Sequence, residues 1–148
     1  MRAFAAPLLA TTFLYACAKG PLAPVPLPLD RFNCARCGML ISELDDAAEW
    51  VGRGEELRFY DDLGCAAADA SRVPPGGKFF VRASGGRRWL PAELAVFAKP
   101  AGARTPMSYG LVAFETEADA KARDAQGRSL RWADLAGFVR ARGAGESR

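Results

Sequence analysis

The chain has 148 residues, half of them hydrophobic and a quarter charged, with 20 basic against 17 acidic side chains and no histidine. That length suits one ordinary domain with short extensions. The formal charge of +3 is too weak a bias to argue for nucleic acid, no basic stripe with interleaved aromatics is present, and the missing imidazole removes His-based catalysis.

Arg2 precedes an apolar run, Ala3 to Ala16, broken by Pro7 and two threonines. A permanent span needs about 20 apolar residues, so residues 1–16 read as an export signal that is removed on maturation. The run closes in Leu14-Tyr15-Ala16-Cys17, similar to a bacterial lipobox, in which Cys17 becomes the lipidated first residue. Cleavage after Ala18 by an ordinary signal peptidase is the alternative, and both readings export the protein. Four prolines fall among residues 20–30 and stiffen that stretch toward polyproline II. Residues 17–30 therefore read as a lipidated cysteine and a proline-rich tether, ahead of one domain over 31–142 and a disordered tail over 143–148.

Within the domain, Met39–Ile41 is apolar and predicts a strand, followed by strands at Glu49–Val51 and Leu57–Tyr60. Asp61-Asp62 then predicts a helix start, since carboxylates satisfy free N–H groups there, and an alanine-rich helix runs to about Ala70. Pro74 to Gly77 ends it. Lys78–Arg82 predicts a strand, Gly85-Gly86 a turn and Arg88–Leu90 a further strand. Ala95–Ala98 and Tyr109–Phe114 predict two more, and Thr116 with Asp119 has capping-box spacing for a helix over 116–125. A strand over Ser129–Trp132 and a closing helix over Asp134–Arg142 complete the pattern. Each half, about 31–90 and 91–142, thus reads strand, strand, helix, strand, an α+β organisation with a faint duplication. Trp50, Trp89 and Trp132 are most simply core anchors.

The sulfur atoms are not scattered. Apart from Met1 and Cys17 they lie in Cys34-Ala-Arg-Cys37-Gly-Met39, Asp61-Asp62-Leu-Gly-Cys65 and Thr105-Pro106-Met107. Thiolate and thioether without imidazole suit a soft ion such as Cu(I). Cys34 and Cys37 admit a structural disulfide, natural in an exported protein. Thioredoxin-like redox work fits less well, because an apolar strand rather than a helix is predicted after the pair. Metal ligation is the third reading: residues two apart on a strand share a face, so Cys37 and Met39 can address one ion. Structural zinc wants four ligands; with Cys17 lipidated, three cysteines remain, and Asp61 or Asp62 would have to complete the set. Cys65 is read either as a small buried residue or as a thiolate favoured by the helix start. Asp61 and Asp62 are most simply caps, and Met107 alone is more often core than ligand.

The lipobox, Cys-Gly-Met, Phe59-Tyr-Asp-Asp-Leu-Gly-Cys65 and Thr105-Pro-Met-Ser-Tyr-Gly-Leu-Val-Ala-Phe114 together resemble the NosL family over about Asn33 to Leu135. The resemblance implies a non-enzymatic copper(I) chaperone lipoprotein encoded with nitrous oxide reductase, which helps to load that enzyme's multicopper site. It implies an anchor on the periplasmic side of the envelope (the outer membrane before the inner), with the reductase or its assembly proteins as partners. It also implies two related ββαβ units, in agreement with the duplication above. Carried over to this chain, Cys37 and Met39 lead the ligand set, with Met107 next. Cys34 and Cys65 match only subsets of the family and can be ligands or a disulfide. In that scheme Cys37 supplies the anionic thiolate, Met39 a neutral thioether, and Met107 or Cys65 an exchangeable third position. The competing class is a non-enzymatic envelope lipoprotein with a structural disulfide or zinc site. A thiol–disulfide or organomercury-handling enzyme ranks third, because no acid or base for turnover is recognisable.

Overall fold

A four-stranded antiparallel sheet carries the first half of the domain: β1 (Ala48–Val51), β2 (Leu57–Tyr60), β3 (Lys78–Arg82) and β4 (Trp89–Pro91), in the order β2-β1-β3-β4. The computed structural model describes residues 20–145 except Glu55, Gly86 and Arg87. The export signal, Cys17, Ala18, part of the predicted Gly85-Gly86 turn and residues 146–148 lie outside the described residues. Between β2 and β3 stands helix α1 (Leu63–Asp69). The second half holds β5 (Val96–Ala98) and β6 (Val112–Phe114), an antiparallel pair, then helices α2 (Glu117–Arg123) and α3 (Trp132–Gly145). Among the described residues no helix is long and apolar enough to cross a membrane.

Opposed residues of an antiparallel pair share a face, and that sorts the larger sheet. Ala48, Trp50, Arg58, Tyr60, Phe79 and Val81 lie on one side by register. That side meets α1, where Tyr60 donates its hydroxyl to Asp69 at 2.9 Å and Arg58 pairs with the same carboxylate at 3.2 Å. Helix α3 packs on α1 and adds Leu135 and Val139, four residues apart on one helix face, to the same core. Trp50 is 2% exposed and Tyr60 fully buried; each large side chain buried in this way contributes about 1.5–3 kcal/mol.

The opposite face carries Glu49, Phe59 and Phe80. It is covered by the proline-rich segment and by the chain that follows it. Leu27 is buried, Val25 packs on the core, and the Val25 N–H donates to the fully buried Glu49 carboxylate at 2.9 Å. Within the predicted tether, Val25 and Leu27 therefore dock on the domain, while residues 17–19 lie outside the described residues. Strand β1 is central and buried on both sides, so the leader supplies the cover that a helix supplies on the other face.

In the second half β5 lies between two cores. Phe97 and Ala113 join the main one, whereas Val96, Ala98 and Phe114 meet Ala120 of α2. The duplication is visible in the pairing. Strand β1 pairs antiparallel with β2 and β3; β5 pairs antiparallel with β6 and, through an isolated bridge, with Leu130. The last strand of the second unit, predicted over Ser129–Trp132, is thus reduced to one bridge, because Trp132 already begins α3. That helix continues to Gly145, three residues into the predicted tail. Thr116 caps α2 as its spacing predicts, accepting the Asp119 N–H at 3.1 Å. Of the three tryptophans only Trp50 is a buried anchor; Trp89 and Trp132 are half-buried at the rim of the core.

Candidate metal centre

The segment before β1 forms a hairpin rather than a strand of the sheet. Ile41 N–H donates to Phe32 at 3.0 Å, Asn33 bridges Leu40, and Cys34 N–H donates to Met39 at 2.7 Å. The predicted strand over Met39–Ile41 is corrected accordingly. Cys37 lies in the turn, where Gly38 N–H closes back onto Cys34 at 2.9 Å and Gly38 has φ +79°. A left-handed residue at this position favours glycine, which is the physical content of the Cys-Gly-Met motif. Met39 therefore faces its neighbours as the cross-strand partner of Cys34, and not by alternation from Cys37. The Ala35 N–H donates to Phe59 at 2.8 Å and pins the turn to the end of β2.

Strand β2 runs straight into Asp61 and Asp62, and the two carboxylates divide the work. Asp62 is the cap: its side chain accepts the Gly64 N–H at 2.7 Å, the Thr105 hydroxyl at 2.6 Å and the Met107 N–H at 2.9 Å. One carboxylate thereby starts α1 and holds the Thr105-Pro106-Met107 loop to it. The two segments touch again where Tyr109 crosses Gly64; a Cβ there would lie 2.1 Å from the ring, so this position is confined to glycine. Asp61, read from the sequence as a second cap, instead turns toward the thiols. The Cys37 Sγ lies 3.5 Å from each of its oxygens.

Cys34, Cys37, Asp61 and Cys65 form one group whose ligand atoms all lie within 4.8 Å of one another. A tetrahedron of bonds about 2.3 Å long has edges of about 3.8 Å, so closure on an ion needs movements of about 1 Å. The three cysteines are free thiols, with no disulfide among them. Cys34, Asp61 and Cys65 are buried and Cys37 is half-buried. Met39 is 46% exposed beside the group, and Met107 packs half-buried against the core. Among the sequence-predicted ligands, Cys34, Cys37 and Cys65 thus come together, and Asp61 stands with them. Nothing in a local pattern marks Asp61 over Asp62; only the direction of the chain leaving β2 does.

The charge distribution follows from crowding. Cys34 is held well below the usual thiol range, chiefly by the hydrogen bond it receives from Cys65, against the cost of burial, with further help from Asp61 and the N–H groups of Cys37 and Asp61. Cys65, as the donor, is pushed up by that bond and by burial; the thiolate expected from its place at the helix start is not what the surroundings favour. Burial pushes Cys37 up to about 11 and Asp61 up to about 6. In the metal-free group the surroundings thus favour the thiolate at Cys34 over Cys37. Four anions cannot share a dry pocket this small; a cation in their midst replaces the protons that otherwise keep them apart.

No family model matches the chain, and no curated protein matches its sequence. Among solved structures, it is similar to the crystal structure of the copper chaperone NosL from Shewanella denitrificans, with a TM-score of 0.60 and 20% identity, over 77% of this chain and 96% of that one. At that identity the likeness shows a shared α+β fold.

Proposed function

We propose that this protein is an exported, non-enzymatic copper(I) chaperone, which holds one Cu(I) at Cys34, Cys37 and Cys65 with Asp61 as a weak fourth contact, and hands it on for assembly of the multicopper site of nitrous oxide reductase. The observation that carries the reading is the grouping of three free thiols and a carboxylate within 4.8 Å in a chain with no histidine. Soft sulfur donors select Cu(I) over hard ions, and two or three of them suffice. The shared fold with a copper chaperone and the ordered motifs that resemble the same family support it. Met39 and Met107 serve as neutral thioether donors at the rim, and the lipidated Cys17 places the domain on the periplasmic side of the envelope, where the reductase or its assembly proteins receive the ion.

A second reading gains from Asp61. Three cysteines and one carboxylate make a complete four-ligand set, which a structural zinc site requires. The two readings separate by metal competition. Anaerobic titration of the reduced chain with Cu(I) against a chelating dye is expected to show one tightly held equivalent, which Zn(II) in excess does not displace. Cys34→Ser or Cys37→Ser is expected to abolish tight binding while the far-ultraviolet circular dichroism is retained. Tight zinc and weak Cu(I) would give the site to zinc.

A further inference from the structure

A way into the metal centre exists that none of its cysteines lines. A cleft of about 300 Å³ is lined by Met39, Leu40 and Ser42 from the hairpin and its exit, by Arg104 and Pro106 from the facing loop, and by Asp61. Of the four grouped side chains only Asp61 borders it. Cys34 and Cys65 are 3% and 1% exposed, so direct approach to them is closed. The loop wall is preformed, because Thr105 and Met107 are both bonded to the Asp62 that caps α1. Met39, nearly half exposed as a residue, lines the cleft.

A carboxylate oxygen is the poorest partner for a soft ion among the four groups. The ligand that faces the cleft is thus the one most easily surrendered. Glu43 lines the cleft together with Asp61, against Arg104 alone. The balance is negative, and it disfavours an incoming thiolate relative to an uncharged donor.

We propose that this cleft is the exchange port of the site. A neutral soft donor of the recipient, a thioether or an imidazole, enters between Leu40 and Pro106 and takes Cu(I) from the Asp61 side, with Met39 sharing the ion at the mouth. The inference rests on the copper reading above. In the entry step one Cu–O contact breaks as one Cu–S or Cu–N bond forms, and Asp61 leaves as the carboxylate. The Cu–S bonds to Cys34, Cys37 and Cys65 then break in turn as further recipient donors bind, the thiolates taking protons from solvent, and no electron is transferred.

Ser42→Trp and Leu40→Trp fill the cleft from the hairpin side without touching a ligand. The test loads the intact chain with Cu(I) under anaerobic conditions and mixes it rapidly with N-acetylmethionine, with bicinchoninate as the coloured final acceptor. Each tryptophan variant is expected to keep the equilibrium Cu(I) affinity within about threefold while its methionine-dependent transfer slows by about tenfold or more, since interface changes act mainly on exchange rates. Asp61→Asn is expected to lower affinity by less than about tenfold and to speed transfer, in line with a hard oxygen contributing little to a soft ion. Transfer at the wild-type rate through both tryptophan variants would show that the ion leaves past Cys37, and would overturn the port. Failure of the wild-type chain to bind Cu(I) tightly would overturn the copper reading itself, a distinct result.

Discussion

Two adjacent aspartates do different jobs here because a chain leaving a strand turns successive side chains to opposite sides. Asp62 points back along α1 and satisfies an orphan N–H of its first turn, then holds a hydroxyl and a second N–H from a loop 43–45 residues away. Asp61 points the other way, into the sulfur atoms. The roles are separable by mutation. Asp62→Ala removes a cap and leaves the Thr105 hydroxyl and Met107 N–H without their partner, at a combined cost of about 2–4 kcal/mol. Thermal or urea unfolding of the metal-free protein checks that loss, and Asp61→Ala in the same assay is expected to be far milder.

At the level of the element, the proline-rich leader is part of the fold. Its docking places Glu49 in the middle of a covered sheet, with one oxygen on the Val25 N–H and the other without a partner among the described residues. Burial drives this carboxyl up to about 7, only partly offset by the Val25 bond. A folded-state value above the unfolded one means that the native protein retains the proton longer. The stability linked to Glu49 is therefore complete below about pH 4.5 and is lost as pH rises through 7, by roughly 3 kcal/mol at most. Asp46, raised to about 6 by burial and by the neighbouring Asp62, Asp45 and Glu43, acts in the same direction. Glu49→Gln is expected to flatten the Glu49 part of that decline, seen as a smaller fall of melting temperature between pH 5 and pH 8 in the variant, at roughly the window the two pKa values define. An unchanged pH profile would mean that Glu49 is ionised and accommodated in the native state.

On the scale of the molecule, the candidate metal site ties together segments that are distant in sequence: the hairpin turn, the exit of β2 and the first turn of α1, braced by the 105–107 loop. An ion bound there holds the native arrangement and is released on unfolding. At free Cu(I) about a thousandfold above its dissociation constant, the stabilisation is about 4 kcal/mol, which for a domain of this size raises the melting temperature by about 10 °C or more. Calorimetry with and without Cu(I) checks this, and the shift is expected to vanish in Cys34→Ser.

Much of this organisation is legible in the residues themselves. Local rules place β2 and β3 at their observed bounds, start α1 after Asp62 and α2 after Thr116, and set the sulfur atoms apart in three short motifs, because alternation and capping are properties of neighbours in the chain. The elements that escaped are those decided by partners far away. Leu40 and Leu130 form bridges instead of strands, since only single residues reach a neighbouring chain segment. The prolines of residues 20–30 speak for an extended rod, but Leu27 and the Val25 N–H find a sheet face and a buried carboxylate to dock on. The same holds at the site. Composition alone shows which atoms are available for a soft ion, since it removes imidazole and leaves sulfur. That Asp61 joins the thiols, and that a cleft borders the group on the Asp61 side, follows only from folding, because both depend on burial and on distances between residues that the chain brings together in three dimensions.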